Sequence, residues 1–348
     1  MQFARLFRFI SALSACLLLS SVEGVARDFV DSAGRHVEVP AQVARVFVAG
    51  PPASVLLYTL APDKLLGWPR AMSAAERAYL APAYRDLPIT GRLAGQGSTA
   101  NVEAVLKFKP DLILDVGSLE ATYASLADRV QMQTGIPYVL LDGSFAKTAD
   151  TYRKLGDLLG VADRAKTLAD YADDTLVALR QKTDVVPPDL RPRIYYGRGP
   201  NGLETGLAGS INMEVLEAVG GVNVAAAAGQ GGLRTVSLEQ VLQWNPDVIL
   251  ALEDGFKTAA LGDPAWSGIK AVRDKRIYVA PSRPFGWFDS PPGVNRLIGV
   301  RWLSRLLYPS AVPDDLRATT RDFYKLFYQV DLTDAQLDEL LRNATATP

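Results

Sequence analysis

Cysteine and histidine are almost absent from this chain of 348 residues, which contains one of each, Cys16 and His36. Proteins commonly hold zinc, nickel and haem iron through imidazole or thiolate ligands. The shortage therefore argues against direct capture of bare zinc or nickel, and against haem bound through histidine. It also leaves no cysteine pair for a disulfide bond. We expect any bound metal to arrive already chelated.

The chain also has no excess of basic residues and no long block of one charge. Lys and Arg total 37 against 38 Asp and Glu, and the formal net charge is -1. This balance argues against nucleic-acid binding, which requires a clustered basic surface. Hydrophobic residues make up 48% of the sequence, which is enough apolar material for two cores of ordinary domain size.

One long apolar run is present, from Phe9 to Val22, and it follows a basic start. The run is shorter than the ~20 residues that a membrane-spanning helix needs. The small residues that end at Ala26 fit a signal-peptidase site. We therefore predict a signal peptide over residues 1–26 and export to the periplasm. A weaker alternative is a lipoprotein anchored at Cys16, which follows Leu-Ser-Ala.

Motifs of common enzyme classes are missing from the sequence. It contains no G-x-S-x-G nucleophile elbow and no G-x-x-x-x-G-K-[ST] phosphate-binding loop. A Ser–His–acid triad would have to use His36, the single histidine. We therefore predict that the protein is not an enzyme.

Strand and helix patterns alternate along most of the chain, which predicts an α/β fold with a mainly parallel sheet. A hairpin over residues 31–40 precedes the alternation. The predicted strands are 43–49, 65–68, 111–115, 138–141, 193–196, 247–252 and 276–280. The predicted helices are 53–60, 101–108, 119–133, 147–159, 163–182, 211–219, 238–244, 294–307 and 315–328, and a last helix that begins with a capping box at Thr333.

One segment occurs twice in the sequence. Residues 101–114 read N-V-E-A-V-L-K-F-K-P-D-L-I-L, and residues 237–250 read S-L-E-Q-V-L-Q-W-N-P-D-V-I-L. The spacing exceeds the ~20–50 residues of solenoid repeats, so we predict two similar lobes. The shared aliphatic, Pro and Asp positions follow from the helix-to-strand geometry. Glu103 and Glu239 either interact with the helix dipole or present equivalent carboxylates to a two-fold-symmetric basic partner.

The hairpin D-S-A-G-R-H-V-E-V-P, both E-x-V-L-x-x-x-P-D-x-I-L segments and the helix between the lobes make the sequence resemble a known family. This family is the cluster A (class III) periplasmic binding proteins of iron-chelate and cobalamin ABC importers. The resemblance implies two Rossmann-like β/α lobes joined by a single long rigid helix, with the ligand cleft between them. The expected divisions are an N-terminal lobe (27–161), an interlobe helix (162–186), a C-terminal lobe (187–310) and a C-terminal helical tail (311–348).

The resemblance also implies a role. It is strongest to the iron-complex branch, whose relatives handle molybdate or nickel, so we expect a monomeric substrate-binding component that captures a metal chelate, first a ferric siderophore. Glu103 and Glu239 would pair with arginines of an ABC permease dimer in the inner membrane. Molybdate or tungstate, cobalamin, haem and a nickel chelate stay open as ligands. A ligand-sensing module of a membrane receptor stays open as a role, and no cofactor is expected.

Loops after the predicted strands supply the candidate ligand contacts. The guanidinium fork suits carboxylate, catecholate or oxyanion groups, and aromatic faces suit a bulky chelator. Tyr195 or Tyr196 offers a phenolate to iron, but no metal site built from protein side chains is predicted. The predicted ligand contacts are Arg70, Arg92, Arg198, Arg283, Trp68, Trp287 and Tyr196.

Overall fold

A computed structural model describes residues 26–95, 100–183, 186–310 and 315–345 of the chain. The predicted signal peptide, apart from Ala26, lies outside these residues, and so does Cys16. Among the helices of the described residues, none is both long enough and apolar enough to cross a membrane.

An N-terminal hairpin is present as predicted, but its first strand precedes the predicted range of 31–40, because residues 31–35 form the turn. Strands β1 (Arg27–Val30) and β2 (His36–Val39) pair in antiparallel register. Asp31 closes the turn, because its carboxylate accepts hydrogen bonds from the backbone N–H groups of Ala33 and Arg35 at 2.9 and 3.0 Å. His36 lies on the exposed face of β2 and pairs with Asp28 at 2.8 Å.

The N-terminal lobe contains a parallel sheet in the order β3–β4–β5. Its strands are β3 (Val46–Val48), β4 (Leu112–Gly117) and β5 (Tyr138–Asp142). Its helices are α1 (Pro51–Leu60), α2 (Ala74–Arg77), α3 (Val102–Phe108), α4 (Ala121–Thr134) and α5 (Thr148–Leu159). The strand predicted over 65–68 forms only isolated bridges, Val46 with Leu65 and Trp68 with Ile89. Pro69 follows directly and has no N–H to continue a ladder.

A single helix, α6 (Ala162–Thr183), connects the lobes and packs along α5. Leu168, Ala172, Leu176 and Leu179 are buried. These positions recur at helical spacing, as the sequence pattern predicted. The expected divisions of the chain on either side of this helix remain predictions.

The C-terminal lobe repeats the parallel arrangement in the order β11–β10–β6–β8, with a small antiparallel pair of β7 and β9 beside it. Its strands are β6 (Arg193–Gly197), β7 (Glu204–Gly206), β8 (Val222–Asn223), β9 (Leu233–Thr235), β10 (Val248–Ala251) and β11 (Ile277–Val279). Its helices are α7 (Glu214–Ala218), α8 (Leu238–Trp244), α9 (Asp254–Gly262), α10 (Lys270–Arg273) and α11 (Arg296–Leu307). The helix predicted over 211–219 is thus shorter, because Ser210 and Asn212 form a side-chain-bonded turn before it.

The C-terminal tail comprises α12 (Leu316–Phe323), a π-helical turn (Tyr324–Tyr328) and α13 (Asp334–Leu341). The predicted capping box at Thr333 is confirmed. The tail contacts both lobes, since the Tyr58 hydroxyl donates to the Tyr328 carbonyl at 2.7 Å and the Trp302 indole N–H donates to the Ala344 carbonyl at 2.6 Å.

Side chains of β3 show how both faces of the sheets are covered. Val46 and Val48 belong to a large apolar cluster that also contains residues of α6, the C-terminal lobe and the tail. Phe47, between them, belongs to a separate cluster with Val105 and Tyr138. Burial on both faces is typical of parallel sheets. The large cluster makes one continuous core through both lobes.

Candidate functional site

The two repeated segments adopt the same structure at equivalent places in the two lobes. Asn101 caps the N-terminus of α3, and Ser237 caps that of α8. Both helices end in the left-handed conformation, with φ of 47° at Lys109 and 42° at Asn245. The predicted internal repeat is therefore a repeated supersecondary unit.

The aspartates of the repeat connect each helix to a neighbouring strand. Asp111 accepts a hydrogen bond from the backbone N–H of Arg45 at 2.9 Å, and Asp247 accepts one from that of Arg193 at 3.0 Å. The guanidinium of each arginine donates to a carbonyl at the C-terminal end of the repeated helix, Lys109 after α3 for Arg45 and Trp244 of α8 for Arg193. The prediction that the repeated Asp serves the helix-to-strand geometry is supported. The sequence repeat did not predict the two arginines that bind each helix end.

Glu103 and Glu239 lie exposed in the first turns of α3 and α8. Hydrogen bonding to the Ser237 hydroxyl and to backbone lowers the pKa of Glu239, so it is charged at neutral pH. Both carboxylates are open to a partner on the surface. Their pairing with permease arginines remains a prediction.

A cavity of about 360 Å³ lies between the lobes and brings two of the predicted arginines together. The N-terminal lobe contributes the segment around α2, and the C-terminal lobe contributes loops after the ends of β10 and β11. This matches the general position of ligands in open α/β sheets, beyond the carboxyl ends of the strands. The lining residues are Arg70, Ser73, Ala75, Glu76, Leu252, Glu253, Ser282, Arg283 and Ser290.

Arg70 is fixed on the N-terminal side of this cavity. Its guanidinium binds the Glu76 carboxylate and donates to the Ala71 carbonyl at 2.9 Å. Partial burial acts to raise the pKa of Glu76, but hydrogen bonds from Arg70 and Ser73 outweigh burial and lower it. Glu76 is therefore a charged partner that holds Arg70 at the cleft.

Arg283 lies on the opposite wall. Its guanidinium pairs with Glu339 of α13, and its carbonyl accepts a hydrogen bond from the Tyr324 hydroxyl. Partial burial acts to lower the pKa of Arg283, but Glu339 reverses this and raises it. An arginine thus lines the cavity from each lobe.

Arg198 lies directly after β6 in a polar network beside the cavity. It donates to Glu204 at 3.0 Å and pairs with Asp289, which is 1% exposed. Asp289 also accepts hydrogen bonds from Tyr196 at 2.6 Å and Asn212 at 2.8 Å. The network holds Arg198 in one place, and Ser290, the residue after Asp289, lines the cavity.

Three predicted contacts lie in the core instead of at the cleft surface. Trp68, Tyr196 and Trp287 are 2%, 0% and 0% exposed. The indole N–H of Trp68 donates to the Tyr84 carbonyl at 2.9 Å. Burial raises the pKa of Tyr195 as well as that of Tyr196, which opposes the phenolate needed for iron ligation. In this conformation these side chains offer the ligand no open face.

Arg92 occupies a separate position near the end of β3. It is half-buried in residues 91–95. There the backbone N–H groups of Leu93 and Ala94 donate to the Ala49 carbonyl at 2.7 and 3.0 Å. Arg92 is not among the described residues that line the 360 Å³ cavity. Its contact with ligand remains a prediction.

The sequence reasoning missed Arg296, which connects the lobes. This arginine is 1% exposed and donates to the Gly143 carbonyl, after β5, at 2.6 Å. It also pairs with Glu214 of α7, whose carboxylate accepts from the backbone N–H of Phe145 at 3.0 Å. The strand ends of the N-terminal lobe are thereby tied to α7 and α11.

The residues after β6 have the G-x-G-x-x-G spacing of a dinucleotide-binding turn at Gly197, Gly199 and Gly202. They lead into β7, and Arg198 and Glu204 form an antiparallel bridge. A phosphate-binding turn of that type needs a helix N-terminus behind it. This segment is therefore a hairpin and carries no nucleotide site.

No cluster of three or more His, Cys, Asp and Glu side chains suited to a metal ion occurs among the described residues. The chemistry of the cleft is that of guanidinium, hydroxyl and carboxylate groups. Such a surface binds charged solutes by hydrogen bonding.

Comparison with known proteins identifies relatives of this architecture. Residues 58–284 match the periplasmic binding protein family. The molybdate-binding protein MolA of Haemophilus influenzae is 29% identical over 358 aligned positions, which cover 92% of this chain and 96% of MolA. The haem uptake protein IsdE of Staphylococcus aureus is 25% identical over 58% of this chain and 69% of its own length.

A solved structure agrees with the same assignment. The ABC transporter solute binding protein from Sulfurospirillum deleyianum superposes with a TM-score of 0.80 at 28% identity, covering 91% of this chain and 99% of that one. Proteins of this type are transport components that deliver small ligands to ABC permeases, and they are not enzymes. The chain belongs to the periplasmic binding protein family, as a cluster A (class III) member with two lobes.

Proposed function

We propose that this protein captures an oxyanion of the molybdate class in the cleft between its lobes and delivers it to an ABC permease dimer. The observation that carries this proposal is the cavity with Arg70 on one wall and Arg283 on the other. The similarity to a molybdate-binding protein along 92% of the chain supports the ligand class. We place the protein in the periplasm as a monomer, after removal of residues 1–26.

The physical basis is complementarity between the cleft and a small, multiply charged anion. Two guanidinium groups supply forked N–H donors, which match oxyanions in geometry as well as in charge. The hydroxyl groups of Ser73, Ser282 and Ser290 line the same cavity and add neutral donors. Glu76 and Glu339 already pair with Arg70 and Arg283, so a bound anion has to share each arginine with its carboxylate or displace the carboxylate.

A ferric siderophore or another anionic metal chelate is the second candidate. The volume of about 360 Å³ favours it, because this exceeds the space that a tetrahedral oxyanion fills and falls in the range of ~300–1,000 Å³ typical of organic ligands. Arginine recognises the carboxylate or catecholate groups of such chelators equally well.

Calorimetric titration of the protein against a panel of ligands tests the proposal. The panel contains molybdate, tungstate, sulfate, ferric siderophores of three chemical types, cobalamin, haem and a nickel chelate. We expect molybdate to bind, and Arg70→Ala and Arg283→Ala each to weaken binding by roughly tenfold, about 1.4 kcal/mol. Arg77→Ala is the matched control, since Arg77 pairs with Asp86 and does not line the cavity. Binding of free divalent metal alone would contradict the proposal.

A further inference from the structure

Arg283 lines the cleft and is bound by the C-terminal tail. Its guanidinium pairs with Glu339, which lies within α13. The two side chains are 33% and 44% exposed, so water and solutes have access to the pair. Exposed ion pairs of this kind are weak and exchange readily with other ions.

Helix α13 contacts both lobes beside the cleft. On the N-terminal lobe, the Tyr79 hydroxyl donates to the Gln336 carbonyl at 2.9 Å, and the Gln336 amide donates to the Ala78 carbonyl at 3.0 Å. On the C-terminal lobe, Glu339 of α13 pairs with Arg283, and two residues after α13 the Asn343 carbonyl accepts a hydrogen bond from the backbone N–H of Val279, the last residue of β11, at 3.0 Å. A change in the contact between Arg283 and Glu339 is therefore transmitted to a helix that joins the lobes.

Glu76, on the opposite wall, is held differently. Its carboxylate accepts a hydrogen bond from the backbone N–H of Ser73 at 2.7 Å, as part of the capping box of α2. Among the residues that the structure describes, no backbone N–H donates to the carboxylate of Glu339, which is hydrogen-bonded to the Arg283 guanidinium and also interacts with the Tyr79 hydroxyl. Glu339 can move away from its arginine without breaking a helix cap, whereas Glu76 cannot.

We propose that Glu339 is a specificity-determining residue, a carboxylate beside the cleft that pairs with Arg283 and that an anionic ligand has to displace. This inference rests on the proposed function. The attraction between Arg283 and a singly charged anion is no stronger than its attraction to Glu339. A multiply charged anion is attracted more strongly to Arg283, so competition with Glu339 favours binding of such anions. Displacement also removes one of the contacts of α13, so ligand occupancy loosens the tail.

Titration with sodium molybdate, on the full exported chain, tests the competition. We expect Glu339→Gln to bind molybdate roughly two- to fivefold more tightly than the wild type, in line with the strength of an exposed ion pair. Asp338→Asn is the matched control, because it removes the neighbouring charge of α13, which pairs with Arg317 of α12 at 2.6 Å. Its affinity should equal that of the wild type. In hydrogen exchange, molybdate should reduce the protection of amides 334–341 in the wild type.

The outcomes separate this inference from the proposed function. Molybdate binding by the wild type with no gain in Glu339→Gln overturns the role of Glu339 and leaves the proposed function standing. Binding by Glu339→Gln alone supports the competition and overturns molybdate as the wild-type ligand. Absence of binding in both proteins overturns both. If Glu339→Gln does not fold, the exchange of amides 334–341 in the wild type decides, and unchanged protection overturns the inference.

Discussion

At the scale of single residues, Arg296 shows how one buried side chain sets the relation between the lobes. Its guanidinium lies at the start of α11 and contacts a carbonyl of the N-terminal lobe and the carboxylate of Glu214. A buried charge is tolerated only when it is paired and hydrogen-bonded. Both conditions are met here, and the ring of Phe145 lies 5.4 Å from the guanidinium carbon.

We expect Arg296→Met to lower the free energy of unfolding by about 3–5 kcal/mol, because it removes the positive partner of Glu214 and the donor to the Gly143 carbonyl. Urea denaturation followed by circular dichroism measures the loss. Lys166→Met is the control, since Lys166 is 74% exposed and pairs with Asp170 on the surface. That pair should contribute less than ~1 kcal/mol. Equal losses in the two variants would contradict a structural role for Arg296.

At the scale of elements, α3 and α8 have the same length and carry a glutamate at the same position. Asn101 and Ser237 cap them, and each presents one glutamate in its first turn. A carboxylate at this position gains a few tenths of a kcal/mol from the helix dipole. This local gain explains each glutamate separately, but it gives no reason for a glutamate at the same position in both lobes. Docking to a two-fold-symmetric partner would require equivalent positions.

Charge reversal on these helices separates docking from ligand capture. We expect the double variant Glu103→Lys/Glu239→Lys to bind ligand as the wild type does, while its affinity for the permease falls by at least roughly tenfold, because opposed charges become like charges. Uptake of labelled ligand into cells measures delivery. Glu38→Lys, which reverses an exposed charge of β2, serves as the control. Uptake by the double variant at the wild-type rate would contradict the docking proposal.

Local sequence signals predicted the elements better than they predicted the cleft. The bounds of α8 match the predicted 238–244, and the capping box at Thr333 is where the pattern placed it. Both depend on residues within a few positions of each other. Asp289 has no such signal, since its partners come from β6 and from the turn before α7. Position in a loop likewise suggested exposure for Trp287, but that loop folds into the core.

At the scale of the whole molecule, the described residues connect the lobes through a helix, through buried polar contacts and through the tail. Helix α6 is the covalent connection, Arg296 is a polar one, and the tail contacts both lobes through Tyr328 and Ala344. The large apolar cluster contains residues of α6, of the tail and of both lobes. Closely packed interiors resist continuous deformation, so a wide hinge motion would have to break this core.

We therefore expect ligand binding to change the separation of the lobes by less than one helical pitch, roughly 5 Å. Spin labels at cysteines replacing Leu106 of α3 and Gln240 of α8, in a chain with Cys16→Ser, report this separation by pulsed electron resonance. A label pair within the N-terminal lobe, at Leu106 and Met132, is the control, since both side chains are exposed and lie in one lobe. Displacements well above this limit, with the control pair unchanged, would show that the lobes close about a hinge. The continuous core would then have to separate in the open state, and α6 would act as a flexible connection.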